Sequence, residues 1–133
     1  MSEQKQQEKS VLIVATSATD LKGHPTGAWL EECAAPYYVF TEAGYSVSFA
    51  SPNGGKIPVD ANSVAGDFNT EACKKFVKDA AASKAFAESQ KLSDELAASH
   101  DIVFFAGGHG TCHTLRPYHT RAHAPRAPPP HVR

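Results

Sequence analysis

Arginine is absent from the first 112 residues, and Asp, Glu, Lys and Gly are all absent from the last 21. The upstream part sets nine Lys against 14 acidic side chains and carries −5, while four Arg give the segment from His113 to Arg133 +4. The nominal net charge of −1 therefore hides two unlike polypeptides joined after Cys112. An acidic upstream part with no Lys/Arg stripe excludes a nucleic-acid surface on the globular region. Long apolar runs are missing as well: Val11 to Ala15 is too short for a signal core or a membrane span, and the polar opening MSEQKQQEKS does not resemble a leader. Only three cysteines occur, Cys33, Cys73 and Cys112, with no C-x-x-C pair. An odd set of this kind excludes a disulfide framework and a paired-cysteine zinc site, and predicts free thiols in a reducing compartment, hence a cytoplasmic location with no nucleic-acid or membrane partner.

What is present fits one domain. A length of 133 residues suits a single core, and setting the tail aside leaves about 100 residues to build it. Residues 1–9 are expected to be disordered, 10–112 to form the domain, and 113–133, with five Pro and four His among the Arg, to stay unfolded. Ser10-Val-Leu-Ile-Val-Ala15 is a continuous β-branched run, the pattern of a strand covered on both faces. A polar crossing loop follows to Thr26, and Gly27 is expected to open a helix that runs to about Ala43, with Gly44 as its stop. In that helix Trp29, Leu30, Cys33, Ala34, Tyr37 and Phe40 share a broad apolar face, and Pro36 lies inside it and predicts a bend. Tyr45 to Ser51 reads as a second strand, Pro52-Asn-Gly-Gly55 as a turn, and 56–69 as a polar connection. Asn69 or Thr70 then caps a helix bearing Cys73, Phe76 and Val77, a further helix is expected over Ser83 to Leu92, and Asp101 to Ala106 returns as a strand. Strands separated by helical crossovers predict an α/β sandwich with a parallel sheet, which binds ligands beyond the carboxyl ends of its strands.

Two segments at those ends are unusual, Gly27-Ala-Trp-Leu-Glu-Glu-Cys-Ala-Ala-Pro36 and Phe105-Ala-Gly-Gly-His-Gly-Thr111. With the Ala-Thr-Ser after the first strand and the turn Ala50-Ser-Pro-Asn-Gly-Gly55, they give the chain, over residues 10 to about 111, a pattern that resembles the ThiJ/PfpI family of class I glutamine-amidotransferase-like proteins. The resemblance is to its branch of heat-shock-type chaperones and glutathione-independent glyoxalases, the glyoxalase III type. It implies a flavodoxin-like fold, here a partial one that is truncated after the third main strand. It further implies a catalytic cysteine in a Cys-His-Gly elbow, an acid/base carboxylate matching Glu32, and a substrate pocket at Gly107, Gly108, His109 and Gly110. In the chemistry that the resemblance implies, a thiolate attacks the aldehyde of methylglyoxal and the glutamate moves a proton between adjacent carbons to give D-lactate, which requires a thiol of lowered pKa and a base within hydrogen-bond reach. No cofactor and no metal are expected.

The sequence departs from that pattern at its centre. No Cys-His-Gly occurs anywhere. Cys112-His113 repeats the dipeptide, but Thr-Leu-Arg-Pro follows it, with no Gly for the sharp turn of a nucleophile elbow. The acid-free tail has the composition of GC-rich coding sequence read out of frame. His113, His119, His123 and His131 match no defined metal site. The expectation is a truncated, inactive relative of lyases that act on small aldehydes, or alternatively a non-catalytic chaperone-like or partner-binding fragment. Such a fragment would dimerise or aggregate through its unfinished sheet. Cys33 and Cys73 lie on apolar helix faces and are expected in the core. Glu32 is placed beside Trp29, Pro36 and Val39 at the shoulder of the packed face, whereas Glu31 groups with Tyr38 and Glu42 toward solvent.

Overall fold

The computed structural model describes residues 9–111, so residues 1–8, Cys112 and the basic tail with its histidines lie outside the described residues. The apolar run folds as strand β1 (Ser10–Val14), and Val11, Leu12, Ile13 and Val14 are fully buried. Burial of consecutive residues means cover on both faces, because successive side chains alternate across a strand. β1 is flanked by β4 (Ser46–Ser51) and β6 (Ile102–Phe105), and the two-residue β5 (Gln90–Lys91) pairs with the far side of β4. All pairings in the order β5-β4-β1-β6 are parallel. The architecture is α/β, part of a flavodoxin-like sandwich.

Helix α1 (Leu30–Glu42) connects β1 to β4, and α2 (Glu71–Lys78) with α3 (Ala80–Ala87) packs beside it. Together they cover one face of the sheet, where Val11, Ile13 and Phe49 meet Leu30, Cys33, Phe76 and Phe86. The centre is aromatic: Phe49, Phe76 and Phe86 stand edge to face with ring centres 5.4–5.9 Å apart. Each such ring removed from water is worth about 1.5–3 kcal/mol, and the edge-to-face geometry adds about 0.5–1.5 kcal/mol per pair. On the opposite face Leu12, Val14, Ala50 and Leu92 form a smaller cluster under Leu96 of the short helix α4 (Asp94–Ala98).

Several boundaries differ from the sequence expectation, each for a tertiary reason. α1 begins at Leu30 rather than Gly27, because Ala28 is drawn into extended pairing: its N–H donates to Pro58 O (2.7 Å) and its carbonyl accepts from Asp60 N–H (3.0 Å). A Cβ on Gly27 would lie 2.6–2.7 Å from backbone atoms of Pro58, Val59 and Asp60, so only glycine admits that approach. The expected helix over Ser83 to Leu92 ends at Ala87; Ser89 pairs with Gly55 in both directions (2.8 and 3.2 Å) and Leu92 N–H donates to Ser51 O (2.9 Å), which converts the segment into the β5 edge. The crossing loop contains a hairpin of β2 (Asp20–Leu21) and β3 (His24–Pro25), turned by Lys22 and Gly23 with positive φ. The supposed polar connection 56–69 buries Ile57 and forms 3₁₀ turns at Ala61–Val64 and Gly66–Phe68. Other expectations hold: Thr70 caps α2, and Gly44, at φ 89, ends α1.

Candidate active site

β6 ends at Phe105, and the loop from Ala106 brings Gly107 and Gly108 under the first turn of α1. The junction is close. Trp29 N–H donates to Gly107 O (3.1 Å), and a Cβ on Gly108 would strike Gly27 O and lie 3.1 Å from Trp29 N. Gly108 also has φ 128, a backbone conformation that other residues rarely adopt. At Gly107 the space a Cβ would need is taken by the carboxylate of Glu32: it would strike Oε2 and lie 2.9 Å from Cδ. Thr111 closes the turn, its N–H and hydroxyl both donating to Gly108 O (3.2 and 2.9 Å).

This packing joins the two segments singled out in the sequence. Glu32 shares an open cleft of about 340 Å³ with Trp29, Gly108 and His109. On its other side it faces a second hollow of about 280 Å³, which Glu31, Pro36, Phe104 and Gly107 also line. Gly110 stands apart from the cleft and is buried, with room for a Cβ filled by Thr16 Oγ1 (2.9 Å) and Ala18 Cβ (3.1 Å). The carboxylates do not sit as the helical wheel placed them. Glu32 is exposed and Glu31 half-buried, the reverse of the expected order. The wheel assumed one apolar neighbour for α1, whereas α1 also contacts α2 and the 3₁₀ turn at Ala61–Val64; Tyr38, grouped with Glu31 on the expected solvent face, packs edge to face with Phe76 and donates its hydroxyl to Asp79 (3.0 Å). The stripe through Glu32 and Val39 is the open one, with Val39 65% exposed. α1 runs through Pro36 without interruption, and the missing proline N–H is the one that Glu32 O would otherwise accept from.

The two described thiols are core groups. Cys33 is fully buried, and burial, with smaller contributions from Glu32 and Cys73, pushes its thiol up to about 12. Such a thiol stays protonated near neutrality and is no nucleophile. Cys73 is fully buried against the Thr70 hydroxyl (3.4 Å). Cys112 lies outside the described residues. Among the described residues no group of three His, Cys, Asp or Glu side chains could hold a metal ion, and no helix is long and apolar enough to cross a membrane. Glu32 presents an exposed carboxylate beside a backbone-lined loop, and such a group can exchange protons with a molecule in the cleft. The sequence did not mark Phe68, whose ring meets that of the cleft-lining Trp29 edge to face at 5.2 Å; an isolated Phe in a polar stretch gives no signal.

No protein-family model and no curated protein matches the chain. Solved structures do. Glyoxalase III from Candida albicans is 31% identical with a TM-score of 0.66, over 77% of this chain and 45% of that one. Rapid Encystment Protein 24 kDa of Francisella tularensis is 36% identical with a TM-score of 0.67, over 77% of this chain and 46% of its own. A further structure reaches 40% identity and a TM-score of 0.65 over 79% of this chain. The chain belongs to the ThiJ/PfpI-like family. It spans less than half the length of these neighbours. In this ThiJ/PfpI-like chain the glycines of the loop are explained by contact: Gly107 yields its side-chain space to Glu32, and Gly108 lets the loop reach the backbone that precedes α1.

Proposed function

We propose that Glu32 and the Gly107–His109 loop are the acid/base part of a glyoxalase III-type site, acting on a small 2-oxoaldehyde such as methylglyoxal to give D-lactate. The observation that carries this reading is the seating of the Glu32 carboxylate on Gly107, in a cleft that His109 shares. The likeness to glyoxalase III of Candida albicans supports it. In the proposed reaction a thiolate adds to the aldehyde carbon, and Glu32 takes the proton from the resulting carbinol carbon and returns it to the neighbouring carbon as the former ketone becomes the alcohol. The thioester so formed is then hydrolysed, which releases lactate and the thiol. Neither Cys33 nor Cys73 can supply that thiolate, since both are fully buried. Cys112-His113 is followed by Thr-Leu-Arg-Pro and lacks the Gly of a nucleophile elbow, so the 133-residue chain alone is proposed to be inactive on methylglyoxal.

The test has two arms. The purified chain should consume methylglyoxal no faster than buffer with an equal amount of free thiol; cysteine-dependent turnover of order 1 s⁻¹ would contradict the inactive reading. In a chimera carrying residues 10–111 in place of the corresponding part of the Candida enzyme, Glu32→Gln should lower turnover by about 10²-fold or more, the scale of lost general acid/base catalysis, with Glu31→Gln nearly neutral. Equal losses would assign the role to neither residue alone. A second reading, a partner-binding module, is favoured by one observation: all four residues of β6, one of the two outer strands among the described residues, are only half-buried.

A further inference from the structure

A hollow of about 800 Å³ opens between the 56–64 segment and helices α2 and α3, and none of its lining residues borders either hollow at Glu32. Its floor is apolar. Leu30, Ile57 and Phe76 are at most 2% exposed, while Val59, Val64 and Val77 line it with 36–61% of their surface open. Its polar groups come from the two segments that leave the carboxyl ends of β1 and β4, the side on which α/β sheets take ligands: Ser17 and Thr19 follow β1, and Lys56 follows β4. These segments are already held in place. Asn53 N–H donates to Ser17 Oγ (3.0 Å), and Gly55 pairs with Ser89 in both directions (2.8 and 3.2 Å), which fixes the backbone that carries Lys56. Because Ser17 Oγ accepts in its bond, the hydroxyl proton is left to donate. Lys56 is the single charged side chain among the lining residues, and it takes part in neither ion pair found among the described residues.

We propose that this hollow binds an aliphatic carboxylate, its chain laid against Ile57, Phe76, Val59 and Val77 and its carboxylate at Lys56 and Ser17. The site goes beyond the acid/base reading of Glu32 and does not depend on it. Ligand sites of this kind are mostly apolar with a few placed polar groups. A lone cation with no acidic neighbour in the lining favours an anion, and one ammonium beside one hydroxyl donor matches a single carboxylate. The apolar floor adds nothing for a short polar anion. Each methylene that it removes from water strengthens binding about fourfold.

Octanoate, hexanoate and 1-octanol test the inference by amide NMR titration of the 133-residue chain. The expected result is saturable shifts at Lys56, Ile57, Val59 and Val77 with Glu32 and His109 unmoved. Hexanoate should bind about tenfold more weakly than octanoate, the scale of two methylenes left in water. Lys56→Gln should weaken octanoate by about two- to fivefold, the scale of an exposed ion pair, and leave 1-octanol unchanged. Val77→Glu, which sets a negative charge at an exposed position of the hollow, should weaken octanoate more than 1-octanol at an unchanged melting temperature. Equal affinities for hexanoate and octanoate would reduce the interaction to a surface lysine and overturn the site. Octanoate binding that survives Lys56→Gln undiminished, or an equal loss of 1-octanol, would overturn the carboxylate assignment. Shifts confined to Ile102–Phe105 would place the probes on β6 instead. Shifts at the hollow on raising the protein concentration alone would give it to a second copy of the chain, and either outcome would overturn the proposal.

Discussion

At the scale of single residues the chemistry divides between a carboxylate kept open and thiols kept closed. Glu32 lies on the uncovered stripe of α1 with its oxygens against a glycine backbone, so it stays within reach of a ligand. Cys33, the next residue, turns into the core and loses its acidity there, with its thiol up to about 12 from an ordinary 9.0. That shift has a consequence for stability. A group whose folded pKa is raised contributes stability in full below its unfolded pKa and loses it as pH climbs to the folded value. For Cys33 the loss therefore begins near pH 9.0 and runs to about 12, and three pH units at 1.36 kcal/mol each set its scale at about 4 kcal/mol. Tyr38, raised to about 12 from 10.0 chiefly by burial, adds to the loss only above pH 10.0, so the interval below it isolates the thiol. Urea unfolding measured from pH 8 to 10 should show stability falling beyond pH 9, and Cys33→Ala should flatten that fall. An unchanged slope in the variant would assign the alkaline loss elsewhere.

At the scale of elements, α1 is capped by a distant residue. Trp29 at its N-cap makes no side-chain cap, and the need is met from 33 positions away by Ser63, whose hydroxyl accepts from Leu30 N–H and donates to Asp60 O (2.6 Å). A helix start without such a partner leaves a buried N–H unsatisfied, at a cost of about 1–3 kcal/mol. Ser63→Ala should thus lower unfolding free energy by about 1–2 kcal/mol and move the Trp29 indole signal, since the same loop carries Phe68. An unchanged urea midpoint would mean that water satisfies Leu30 N–H. The other caps are local. Thr70 accepts from Cys73 N–H (3.4 Å), and Ser93 from Leu96 N–H (3.0 Å). Asp79 accepts from Ala81 and Ala82 N–H, and these bonds, led by Ala82 and joined by the Tyr38 hydroxyl, hold its carboxyl below the usual range.

At the scale of the whole molecule, the sheet is asymmetric. β1 is sealed on both faces, whereas β6 pairs only with β1 among the described residues and keeps Ile102, Val103, Phe104 and Phe105 half-buried. Outer strands of apolar character recruit other strands. The purified chain should accordingly form dimers or larger species that grow with concentration and bind a hydrophobic dye in sedimentation and fluorescence measurements. A monodisperse monomer with a sharp cooperative melt and no dye binding would show that the chain closes its own sheet. The parts whose causes are local could be read from residue order. The β-branched run made β1, Thr70 and Gly44 bounded their helices, and the loop at Gly107 to Gly110 stood at the carboxyl end of a strand, where α/β sheets bind ligands. It also singled out Glu32, but by resemblance rather than by environment. The wheel considered one helix against one face, and so inverted the exposure of Glu31 and Glu32. What depends on several segments meeting was set by packing. It unwound residues 27–29 to pair with the 58–60 backbone, drew Gln90–Lys91 out of a helix and into the sheet, and brought Phe68 to Trp29. In the first two cases a backbone hydrogen bond from a distant segment outweighed local helix propensity, which is worth well under about 1 kcal/mol per residue.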